Sequence, residues 1–119
     1  LPGRESDQES EAFTSKPVTV PMRDATVQAG KGLRIITRRA VFTNTTLVTQ
    51  APRDTLIRIR FQSNGTVKRA DFVEGGSTGN PNIDEPIRNA VYRWRASGKD
   101  LEKLTPGDTL SVVVRITFR

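Results

Sequence analysis

The side chains able to do chemistry in this chain are carboxylates, guanidinium groups, amines and hydroxyls, because its 119 residues include no Cys and no His. That composition excludes thiol and imidazole nucleophiles, Ser-His-Asp and Cys-His arrangements, His or Cys metal sites, and any disulfide framework. The acidic residues form no convergent pair in the sequence. Asp84 and Glu85 are adjacent and read as the start of a helix, with Asp84 as its N-cap and Pro86 in its first turn. Asp71 and Glu74 flank the end of a strand. Gly75, Gly76 and Gly79 precede the helix but lack the order and the lysine of a phosphate loop. The free N–H groups of such a turn suit an anion, yet Asp84 stands where that anion would sit. The expectation is a protein that is not an enzyme, with no catalytic residue, no metal site and no cofactor.

Charge offers a second line of argument. Nineteen Lys and Arg against thirteen Asp and Glu leave a formal +6, which suits a polyanionic partner such as a nucleic acid, lipid headgroups or a wall polymer. The basic residues are spread along the chain without a run of five, and one Trp, one Tyr and five Phe provide few platforms for stacked bases. Nucleic acid is therefore a disfavoured partner. No apolar stretch approaches the roughly 20 residues needed to span a bilayer, and no signal peptide is evident. The first residue, Leu1, is not Met, which reads as a piece cut from a longer protein.

The elements that would position these residues are punctuated clearly. Residues 1–32 read as a flexible arm or linker, acidic and serine-rich at the start. Within it, Pro17-Val18-Thr19-Val20-Pro21 suits an extended segment that its prolines would limit to an edge, and Gly30-Lys31-Gly32 marks a turn. Residues 33–119 read as one α+β domain. Residues 33–42 favour a strand with imperfect alternation, and Asn44 to Thr49 is rich in β formers. Asn44 and Asn64 also begin N-x-T sequons, read as chance occurrences. Ile57, Ile59 and Phe61 alternate with Arg58 and Arg60, and Asn64-Gly65 predicts a hairpin turn leading to a returning strand over 67–73. Ile87, Ala90, Val91 and Trp94 form one apolar helical stripe, and Ser97-Gly98 reads as the helix end. After Pro106-Gly107-Asp108, the closing strand sets Leu110, Val112, Val114, Ile116 and Phe118 on one face. Ser111, Val113, Arg115 and Thr117 occupy the other.

Taken in order, these landmarks resemble the C-terminal domain of the TonB family, whose members couple an inner-membrane motor complex to outer-membrane receptors in Gram-negative bacteria. The resemblance covers residues 55–118. It rests on the alternating strand to Phe61, Gly65 with Val67, Gly76-Ser77-Thr78-Gly79, and Asn80-Pro81. Ile83-Asp84, Ala90-Val91 with Trp94, and the final strand to Phe118 complete the set. The family's Tyr-Pro pair is absent, Ala51-Pro52 being nearest, and the loop over 98–108 is longer than usual. The resemblance implies a small antiparallel sheet of three or more strands packed on one main helix, in the order ββαβ. It implies a periplasmic domain, anchored to the inner membrane through an upstream segment and linked there to the motor complex. It further implies uptake of a receptor's N-terminal peptide as an added strand along the final β-strand, with Leu110, Ser111, Val113, Arg115 and Thr117 as the binding edge. A homodimer is a further expectation from such an edge. The alternative from another class is a structural envelope module that self-associates or binds a polyanionic cell-wall component.

Overall fold

The alternation at Ile57, Ile59 and Phe61 organises the fold, because a strand of this pattern must bury one face. The computed structural model describes the backbone of 11–13 and residues 17–41 and 54–117. Along the chain run β1 (Glu11–Phe13), β2 (Val18–Pro21), β3 (Ala25–Gln28), β4 (Arg34–Thr37), β5 (Thr55–Gln62) and β6 (Val67–Phe72). There follow α1 (Pro81–Val91), β7 (Arg95–Ser97), a short α2 (Lys99–Glu102) and β8 (Thr109–Thr117). The protein is α+β, with two sheets and few helices among the described residues.

Strands β5 and β6 form the expected hairpin. Gln62 N–H donates to the Thr66 carbonyl and Gly65 N–H to the Gln62 carbonyl, each at 2.8 Å. The Asn64 side-chain oxygen accepts from Thr66 N–H at 3.0 Å, so the sequon residues at Asn64 serve the turn. Gly65 adopts φ +89°, and a Cβ there would lie 2.2 Å from the Ala96 carbonyl oxygen. Only glycine fits that approach. On the other side of β5, β8 pairs antiparallel along its whole length, from Thr55 opposite Ile116 to Gln62 opposite Thr109. Ile57, Ile59, Phe61, Leu110, Val112, Val114 and Ile116 thereby share one buried face.

Ile83, Ile87, Ala90 and Val91 of α1 complete that core. The N-cap is Asn80, whose side chain accepts from Asn82 N–H at 2.9 Å, with Pro81 at the first helical position. Asp84 is therefore not the N-cap, and Pro86 lies inside the helix. The sequence presents two acid-or-amide starts followed by proline, and the earlier one wins because it places Ile83 as well as Ile87 on the buried stripe. The helix also stops at Val91, short of the expected end at Ser97-Gly98. Trp94 lies beyond it, fully buried, with its indole N–H donating to the Arg38 carbonyl at 2.9 Å. The following residues turn into β7, which completes an antiparallel β3-β4-β7 sheet. The long loop before β8 is filled by α2, which buries Leu101.

One boundary and the sheet type differ from the sequence reading. Residues 18–28 supply β2 and β3, and Val20 is wholly buried, so the fold begins well before residue 33. The main sheet is mixed, since β1 and β2 both run parallel to β8. The acidic opening of the chain lowers the average of the first 32 residues and masks the apolar alternation of Val18 and Val20. The sequon at Asn44, the β-rich segment around it and Phe118 lie outside the described residues.

Candidate functional site

Any strand-addition site must be a sheet edge, where backbone N–H and C=O groups lack partners within the sheet. Leu110, Ser111, Val113, Arg115 and Thr117 all belong to β8. Leu110 and Ser111 are buried, Val113 and Thr117 half-buried, and Arg115 exposed. The expectation that this strand is a free edge does not hold in this chain: β8 has β5 on one side and β1 with β2 on the other. The physical reason is the arm. Prolines at 17 and 21 suit an outermost strand, and Val18 and Val20 lie opposite Val114 and Ile116, where they extend the apolar face.

Strand β2 pairs from Val18 opposite Val114 to Pro21 opposite Thr117. It is secured at its end, where Met22 N–H donates to the Thr117 carbonyl at 2.9 Å and Ala40 N–H donates to the Met22 sulfur at 3.0 Å. Strand β1 pairs from Glu11 opposite Thr109 to Phe13 opposite Ser111. Five residue steps separate Phe13 from Val18, whereas three separate Ser111 from Val114. Strands β1 and β2 thus follow β8 in registers that differ by two residues.

The opposite edge of the sheet, β6, is blunted. Its register shifts between Arg60 and Phe61, leaving Lys68 as the extra residue of a bulge, a device that disfavours further pairing. Ala70 N–H donates to the Tyr92 hydroxyl at 3.1 Å, so the helix end closes one outward backbone donor. In the second sheet, the outer side of β7 is met by the hairpin, Ala96 N–H donating to the Gly65 carbonyl at 2.8 Å.

No family model, curated protein or solved structure matches this chain. The site therefore rests on its own geometry. The sequence offered no local signal for Tyr92 as the guard of β6 or for Met22 as the anchor of β2, since both contacts depend on tertiary placement.

Other chemistry finds little footing among the described residues. Asp84 accepts from Thr78 N–H at 2.9 Å and from the Thr78 hydroxyl at 2.6 Å, which fills the glycine-rich turn with the chain's own carboxylate. Asp71 pairs with Arg69 on the surface at 2.6 Å. No group of three or more metal-ligating acids is present among the described residues. None of their helices is long and apolar enough to cross a membrane.

Proposed function

We propose that this chain is a non-enzymatic periplasmic coupling domain of the TonB C-terminal type. It binds the N-terminal peptide of an outer-membrane receptor or transporter by strand addition along β8, and so transmits inner-membrane energy for transport. The fold reading is the same: a ββαβ unit of β5, β6, α1 and β8, with α1 as its main helix. In the full-length protein, an upstream segment anchors the domain in the inner membrane and joins it to the motor complex. The observation that carries this reading is the pairing of β8 with two extended segments, β1 and β2, on the edge away from β5. An edge that accepts extended backbone from its own chain has the geometry to accept it from another. Calorimetric titration with peptides from the periplasm-facing N-termini of outer-membrane receptors tests the reading. Binding by at least one such peptide, lost when prolines replace its alternate residues, is the expected result; no heat with any of them at millimolar concentration would refute it.

One observation favours a second reading, a structural envelope module that binds a polyanionic wall component. Arg58 and Arg115 are exposed on neighbouring strands, and Arg60 lies directly opposite Arg69 across the β5–β6 pair. Binding to such a polymer would weaken steeply with salt, whereas strand addition through backbone pairing would change little.

A further inference from the structure

We infer that the end of the β3-β4-β7 sheet holds a small anion site, built by Lys31, Arg34 and Lys99, for the phosphate group of a phosphomonoester. None of its lining residues belongs to β5 or β8, so it stands independently of strand addition. Three of those residues form a row. Gln28, Arg34 and Ser97 are register partners across β3, β4 and β7, and partners in a row share a face of the sheet. Two connections close the end of that row. The β3–β4 turn is held by Ala29 N–H donating to the Leu33 carbonyl at 2.8 Å and by the Gln28 side-chain amide donating to the same carbonyl at 3.1 Å. The link from β7 to α2 is pinned to this turn, Asp100 N–H donating to the Gly32 carbonyl at 2.9 Å. Gly98 makes the junction possible, since its φ is +131° and a Cβ there would collide with the Gly32 carbonyl. Between the two connections lies a cavity of about 270 Å³.

Charge identifies the occupant. The three cations reach the cavity from the turn, from the first residue of β4 and from the first residue of α2, and no carboxylate lines it. All three are exposed, and none has an ion-pair partner among the described residues. The Asp100 carboxylate lies against Gly32, so the cations exceed it three to one. A phosphomonoester carries about −1.5 to −2 charge near pH 7 and three acceptor oxygens. The Arg34 guanidinium offers a planar fork to two such oxygens, while Lys31 and Lys99 act as point charges. The Ser97 hydroxyl adds a donor. A single carboxylate, with one charge and two oxygens, matches fewer of these groups. The cavity is smaller than the roughly 300–1,000 Å³ of sites that enclose a drug-sized ligand. The phosphate therefore enters, and the rest of the ligand stays in solvent.

Amide NMR titrations of the full chain test the site, run at fixed ionic strength so that screening of surface charge stays constant. The probes are inorganic phosphate, glycerol 3-phosphate and, as a carboxylate control, acetate. Both phosphates should give saturable shifts at Lys31, Gly32, Gly98 and Lys99, and acetate should bind at least tenfold more weakly. Arg34→Gln with Lys99→Gln replaces two exposed side chains and should weaken phosphate binding at least tenfold while the spectrum stays that of the folded chain. Lys103→Gln, which removes an exposed cation outside the cavity, should leave binding unchanged. Arg34→Lys should weaken it less than Arg34→Gln, because it keeps the charge and loses the fork. Shifts that grow without saturating at tens of millimolar phosphate would overturn the inference. Equal binding of acetate, or an equal response of Lys103→Gln and the double variant, would do the same. Saturation by inorganic phosphate with none by glycerol 3-phosphate would assign the cavity to the free ion and overturn the phosphomonoester.

Discussion

Gly65 makes a hairpin turn and accepts the edge of a second sheet at one point, and neither role tolerates a side chain. Gly65→Ala would force φ +89° on an alanine and drive its Cβ into the Ala96 carbonyl. We expect a loss of about 3 kcal/mol, read as a lowered midpoint in urea unfolding. Thr55 presents the reverse case. It is fully buried, and its hydroxyl finds no partner among the described residues. Thr55→Val keeps the shape and removes an unsatisfied polar atom, so it should raise stability by about 1 kcal/mol in the same assay. At this scale the sequence was partly legible. Asn64-Gly65 announced the turn through its tolerance of positive φ. Asp84 was misread because Glu85-Pro86 imitates a helix start, while the carboxylate in fact closes the turn at Thr78. The Gly65 contact with β7 had no local signature.

Among the elements, the two outer edges of the main sheet are managed differently. Strand β6 is closed by a bulge at Lys68 and by the Tyr92 hydroxyl on Ala70 N–H. Tyr92→Phe should cost about 1 kcal/mol, and amide exchange at Ala70 should accelerate by about tenfold if exchange occurs through local opening. The edge of β8 is closed by the arm, through β1 and β2. Native-state exchange should show the β2 amides that pair with β8 protected far beyond those of exposed loops, since Val20 is wholly buried. Strands β5, β6 and β8 were readable from period-two alternation and the turns between them. The arm was harder to read. Val18 and Val20 show the alternation of a strand, yet their partner lies at the far end of the chain, and parallel pairing leaves no hairpin signal. Strand β7 was hidden for a related reason: the helical stripe continues past Val91 to Trp94, although that side chain is buried from beyond the helix.

For the whole molecule, the topology turns a question about residues into one about competition. The backbone groups that a partner would use on β8 are those its own arm uses, so arm release and peptide binding must be linked. Stability and affinity should therefore trade against each other in arm variants: those that weaken the arm's pairing with β8 bind peptide more tightly, and those that strengthen it bind less. The net positive charge plays a secondary part in this account, since backbone pairing supplies the contact. Amide NMR of the full chain, recorded during titration with a binding receptor peptide, tests the central claim most directly. The account predicts intermolecular amide contacts along β8, together with loss of the arm's own pairing where the peptide binds. Contacts confined to β6 or α1, with the arm still paired to β8, would contradict it.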